Sequence, residues 1–148
     1  VAMFQYSFQK VVDLKKSQKT QAEWLLSNAL SLLSAQEASL NELQQAKADW
    51  EAKLQSASAE GVPLSEIVII REYLDHVQAC IEKKLLQVEH AQHAVEQSRS
   101  RLSDKMKDEK VWLKAKDNAF HTYRQEMSIK EQNELDEMAT VRFKMGAQ

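Results

Sequence analysis

The sequence predicts an all-α fold: a long antiparallel two-helix coiled-coil hairpin with a C-terminal helical overhang. Three observations carry that reading. Residues 64–145 contain no glycine and no proline, and apolar side chains recur along them at helical spacing. The stretch from Ser7 to Glu60 is equally free of breakers. Between the two lies a single turn signal, Ser58-Ala59-Glu60-Gly61-Val62-Pro63, in a chain with only two glycines and one proline. At about 1.5 Å per residue the second helix would reach roughly 120 Å unbroken. A helix of that length draws its stability from something packed along its side, and the first helix is the nearest candidate.

Taken in order, Tyr6-Ser7-Phe8-Gln9-Lys10-Val11 has the form of a helix start. With Ser7 as N-cap, Tyr6 and Val11 take the two positions of a hydrophobic staple. A three-four spacing then runs Phe8, Val12, Lys15, Lys19, Ala22, Leu26 and onward through Gln36, Leu43 and Trp50 to Ala57. This is a heptad seam, thin at first and mostly apolar from Ala22. Gly61 suits the left-handed position just past a helix, and Pro63 prevents continuation. Ser65 is expected to cap the second helix. Its seam reads Ile67, Ile70, Leu74, Val77, Ile81, Lys84, Val88, Ala91, Val95, Ser98 and Leu102. After Leu102 the apolar phase moves by one, to Met106, Leu113 and Phe120, and then continues through Tyr123 and Met127. That shift reads as a stutter.

The whole chain, 1–148, is expected to be one coiled-coil domain, with helices at about 5–58 and 65–144 and a turn at 58–64. A short turn makes the helices antiparallel, with opposed residue numbers summing to about 121. Leu26 is then expected to face Val95, and Phe8 to face Leu113. The first helix ends well before the second does. The remainder of the second carries Ile129, Leu135, Met138, Val141, Phe143 and Met145 with no partner in the chain. Such a stripe either fits a partner's groove or frays as a terminus.

Composition narrows the function. A body rich in glutamine, alanine, glutamate and lysine matches long helices rather than a globular core. A net charge of -2 and an isoelectric point near 6.1 give no overall pull toward nucleic acid or anionic lipid. Cys80 is the one cysteine, so no internal disulfide forms, and its place in the helix suggests a small buried hydrophobe. No run of about 18 apolar residues exists to cross a membrane, and the N-terminus lacks the apolar region of a secretory signal. The expectation is a soluble cytoplasmic protein with no direct membrane insertion.

Candidate sites are few. His90 and His93 share a helical face with Glu89 and Glu96 nearby, but zinc needs three or four ligands, usually from more than one element. The facing stretch of the first helix, residues 25–32, supplies no second pair, so a solvated polar face is the better reading. Catalysis needs titratable groups held in a concave, partly dry site, which two helices do not make. No phosphate-cradling glycine loop and no Cys-x-x-Cys is present. The sequence predicts no enzyme, no cofactor and no metal. Lys10, Lys15, Lys16 and Lys19 would lie beside Lys105, Lys107, Lys110, Lys114 and Lys116. Asp13, Asp104, Asp108 and Glu109 are interleaved with them, so a solvated charged face comes first, an acidic protein partner second and nucleic acid third. Trp50 and Tyr73 fall near the turn, one per helix, close to Leu43, Val77 and Cys80. They either fill the seam or anchor a partner, as bulky aromatics do at binding hot spots.

Three stretches bear a family resemblance. Phe4-Gln5-Tyr6-Ser7-Phe8-Gln9-Lys10-Val11-Val12-Asp13-Leu14-Lys15 resembles the start of the flagellar export protein FliJ. Arg71-Glu72-Tyr73-Leu74-Asp75-His76-Val77-Gln78-Ala79-Cys80-Ile81 is similar to the start of that family's second helix. Glu131-Gln132-Asn133-Glu134-Leu135-Asp136-Glu137-Met138-Ala139, followed by Arg142, resembles its end. The resemblance implies a non-enzymatic stalk of the flagellar type III export apparatus, peripheral at the cytoplasmic face of the cell membrane. Its implied partners are the hexameric export ATPase, the membrane export gate protein and export chaperones, with no nucleic acid. It further implies that Leu43, Trp50, Tyr73, Val77 and Cys80 face the gate, while Phe8, Lys10, Leu135, Met138 and Arg142 face the ATPase. The rival readings are a structural scaffold that self-associates through its C-terminal overhang, and the equivalent stalk of a virulence-type secretion system.

Overall fold

The computed structural model describes residues 3–146. Helix α1 spans Gln9–Glu60 and helix α2 spans Leu64–Gly146, 52 and 83 residues, and the two pack against each other as a hairpin. The chain divides into two compact units, Gln21–Ser103 and the pair of segments Val1–Thr20 with Asp104–Gln148.

The first of these contains the turn, which works through glycine. Gly61 sits at φ 71°, and the Val62 N–H donates to the Ala57 carbonyl at 3.2 Å. That bond, spanning the glycine, is the signature of a Schellman cap, and it satisfies a carbonyl that the helix end leaves open. Ala57 is buried and Val62 is half-buried. The Pro63 carbonyl then accepts from Glu66 N–H at 3.0 Å and Ile67 N–H at 3.4 Å. Pro63 therefore caps α2, and the predicted cap Ser65 lies inside the first turn. Proline is suited to this place because its missing N–H is one that a helix start would leave unpaired anyway.

Between these ends the seam follows the predicted three-four spacing. Ala22, Ala57, Val77, Ile81, Val88, Ala91 and Val95 are the buried residues of this unit. The remaining predicted seam positions, from Leu26 to Leu54 and from Ile67 to Leu102, are half-buried. Three of the seven buried residues are alanines, which let the two backbones approach. One seam position is polar on both sides: Lys84 Nζ donates to Gln36 Oε1 at 3.0 Å.

In the other unit α1 starts later than expected. The Phe8 carbonyl accepts from Val12 N–H at 3.1 Å, so Phe8, not Ser7, occupies the cap position, and residues 7–8 form a turn. Val12 is the buried residue of this unit. On α2 the half-buried stripe runs Lys105, Glu109, Trp112, Lys116, Ala119, Tyr123 and Met127. The predicted shift to Met106, Leu113 and Phe120 does not occur, and all three are exposed. The three-four spacing is kept as far as Ala119 by the half-buried Lys105 and Lys116, and two steps of four then lead to Tyr123 and Met127, which are half-buried as expected. Beyond Met127 every described residue is exposed, although α2 remains helical to Gly146.

Two consequences can be checked by denaturation. A Cβ added at Gly61 would meet nothing within 4 Å, so Gly61→Ala isolates the backbone penalty and should cost about 1–2 kcal/mol. Replacing both polar seam partners, Gln36→Leu with Lys84→Leu, should be neutral or stabilising by up to about 2 kcal/mol, because two desolvated groups are removed together.

Candidate partner-binding surfaces

In the unit containing the turn, Trp50 and Tyr73 come together from opposite helices with ring centroids 4.7 Å apart and planes tilted by 53°. Lys53 lies over the Trp50 ring, its Nζ 4.3 Å from the centroid, a cation–π contact on the exposed side. Trp50 is half-buried and Tyr73 is 41 % exposed. The pair thus belongs to the seam and to the surface at once, because two helices cannot enclose rings of that size. Ile69, Tyr73, His76 and Cys80 follow one another at helical spacing on α2 and form a stripe. Ile69 is 65 % exposed, and the Cys80 Sγ lies 3.7 Å from His76 Nε2. Leu43 is half-buried, whereas Val77 is only 3 % exposed and holds the helices together from beneath. Farther from the turn, Leu32 and Leu86 flank an open groove with Gln36, Lys83, His90 and Ala94, and Leu86 is 68 % exposed.

The other unit is built from rings and ion pairs. Phe4 stacks against Phe120 and Tyr123 at 5.2 and 5.3 Å, and Phe8 against Trp112 at 5.8 Å. Tyr6 packs on Phe8 at 5.7 Å, and through Phe4 the short segment before α1 is held alongside α2 by aromatic contacts. Lys15 pairs with Asp108 at 2.8 Å and Lys19 with Glu109 at 2.9 Å. These two lysines are therefore paired across the helices with two of the interleaved acidic residues. Lys10 is exposed beside a shallow groove that it lines with Phe4, Tyr6 and Lys116. The overhang of α2 carries Leu135, Met138, Val141 and Met145 on one side, each at least half exposed. Arg142 is exposed among them.

Among the described residues there is no group of three or more histidine, cysteine or acidic side chains placed to hold a metal, and no helix is long and apolar enough to cross a membrane. A family model for the flagellar FliJ protein matches residues 4–147. The chain belongs to the FliJ family. That family is a non-catalytic component of the flagellar export apparatus, and membership implies association with the export ATPase. No curated protein matches the chain. A solved structure of a protein described as a YscO homologue, from Chlamydia trachomatis, is similar in fold at 19 % identity and a TM-score of 0.61, covering 99 % of each chain.

Set on this FliJ-family fold, the residues singled out in the sequence fall into three patches rather than two. Trp50, Tyr73, Leu43 and Cys80 share the region of the turn, with Val77 supporting them from the seam. Phe8 and Lys10 lie near Trp112 and Lys116. Leu135, Met138 and Arg142 lie farther along α2, and at about 1.5 Å per residue Leu135 is roughly 35 Å beyond Trp112. Sequence reasoning missed Ile69 and Leu86. Both are outward-facing aliphatics inside heptad-patterned stretches, and a seam written at three-four spacing passes them by. Ile69 could have been found from its four-residue step to Tyr73.

Proposed function

We propose that this chain is the non-enzymatic stalk and adaptor of the flagellar type III export apparatus, linking the hexameric export ATPase to the membrane export gate and handling export chaperones. The family match over residues 4–147 is the observation that carries this reading. In it the chain works at the cytoplasmic face of the membrane. The surface near the turn, Trp50 and Tyr73 with Leu43, Cys80 and the neighbouring Ile69, contacts the gate protein, and Val77 keeps that surface in register. The C-terminal overhang, with Leu135, Met138 and Arg142, contacts the ATPase, and Phe8 and Lys10 form a second contact nearer the start of α1.

Two features support the assignment of roles. The Trp50–Tyr73 pair is aromatic, half-exposed and bordered by a cation, the chemistry of an interface anchor. The overhang is an apolar helical stripe that α1 does not cover. In a helical adaptor the surfaces left over from self-packing are the ones available to partners.

The decisive experiment is the ATP hydrolysis rate of the cognate export ATPase with and without this chain at equal concentration. Stimulation is expected. A chain ending at Tyr123 retains every buried residue, so it should stay folded yet lose most of the stimulation. Full stimulation by the shortened chain would move the ATPase contact off the overhang, and no stimulation by the intact chain would remove the stalk role. Separately, Trp50→Ala with Tyr73→Ala should weaken binding to the gate protein by about tenfold or more with helix content nearly unchanged. Undiminished gate binding, or a large loss of helix by circular dichroism, would mean that the rings serve only the seam.

A further inference from the structure

We propose that the overhang of α2 pairs with the same segment of a second copy of this chain, antiparallel and about a two-fold axis. Residues 128–146 are all exposed in a continuous helix. Met138, Val141 and Met145 repeat at three-four spacing with Leu135 beside them, which makes an apolar stripe on one side of that helix. The charges around the stripe are segregated. Glu131, Glu134, Asp136 and Glu137 precede Met138, with Lys130 the one base among them, while Arg142 and Lys144 follow it. Asp136 accepts a hydrogen bond from Gln132 at 3.2 Å. Among the described residues Glu134, Glu137, Arg142 and Lys144 make no ion pair.

This order of charges is self-complementary in one direction only. Two copies laid antiparallel place the acidic block of each against the basic block of the other, twice, by symmetry. Laid parallel they place acid on acid and base on base. An isologous contact of this kind closes on itself and needs no second surface. The charges choose the orientation and the stripe supplies the burial, as in a coiled coil whose flanking positions set partner and direction. A segment of 19 residues holds fewer than three heptads, so the dimer is weak and forms at high protein concentration. The same stripe is the one assigned to the ATPase, so a paired chain is held off the ring. That last consequence rests on the stalk reading; the pairing does not.

Sedimentation equilibrium of the intact chain over a wide concentration range tests the pairing without any ATPase. The wild-type chain should show a monomer–dimer equilibrium. Reversing either block, by E134K with E137K or by R142E with K144E, should weaken the dimer by about tenfold or more, since each juxtaposes like charges at both symmetric contacts. Combining all four substitutions restores opposite charges in the antiparallel arrangement alone and should return the affinity to near wild type. All four positions are exposed, so helix content measured in parallel should not change. A wild-type chain that stays monomeric throughout would overturn the proposal, as would a dimer indifferent to either reversal or a fourfold variant that does not recover.

Discussion

Two helices cannot surround a side chain, and the rest of this structure follows from that. A helix packed on one neighbour hides a stripe and leaves the remainder in water. Among the described residues no side chain is fully enclosed, and the most buried are small or β-branched: Ala22, Ala91, Val77, Ile81 and Val95. Larger residues on the seam are necessarily half out. Trp50 meets Tyr73 and Phe8 meets Trp112 in tilted contacts that leave each ring partly exposed or half-buried. The division between core and binding surface that a globular domain makes by depth is made here within single side chains. Stability is correspondingly distributed in small steps along each unit, with no central cluster whose loss would unfold the rest.

A seam of alanine, valine and leucine repeats every seven residues and would tolerate sliding by a heptad. The polar positions remove that freedom. Lys84 to Gln36 fixes the pairing in one unit, and Lys15 to Asp108 with Lys19 to Glu109 fixes it in the other. Their energetic return is small, since partly exposed ion pairs contribute about 0–1 kcal/mol each. Their value is in what a slip would cost: Lys84 would meet Ala29 or Leu43, Lys15 Arg101 or Ala115, and Lys19 Leu102 or Lys116, each losing its acceptor while still half-buried. The lysines that thin the seam on paper are the residues that tell the helices how to align.

Much of this is legible in the sequence. Period, turn and antiparallel pairing came from spacing and from one Gly-x-Pro, because a two-helix fold has few long-range decisions to make. The Trp50–Tyr73 contact was legible for the same reason, since residues close to a tight turn have little choice of partner. What failed has a common cause. Ser7 and Ser65 were assigned as caps from side-chain preference, but the carbonyls of Phe8 and Pro63 begin the helices, and cap position is decided by backbone geometry that composition only biases. Met106, Leu113 and Phe120 are large and apolar, which places them in the expected seam. The observed stripe passes through Lys105, Trp112 and Lys116, keeping the spacing and sacrificing hydrophobicity. The segment holding Phe4 and Tyr6 escapes for another reason: it is not helical, so periodicity says nothing about it.

The overhang is the place where local and tertiary contributions separate. Among the described residues all those beyond Met127 are exposed, yet they remain helical. A free peptide of that length would be marginal, because the first turn must be nucleated at the expense of several ordered residues for one hydrogen bond. Here that nucleus already exists in the packed part of α2, and each further residue adds only propagation, helped by glutamate, glutamine, alanine, methionine and leucine. The Gln132 to Asp136 bond adds a local contact one turn apart. No breaker interrupts until Gly146. The apolar stripe is therefore already helical in the chain alone, and a partner proposed for it would not have to order it. Such preorganisation lets a short contact bind usefully while remaining weak enough to exchange. An overhang of this kind suits a surface with more than one claimant.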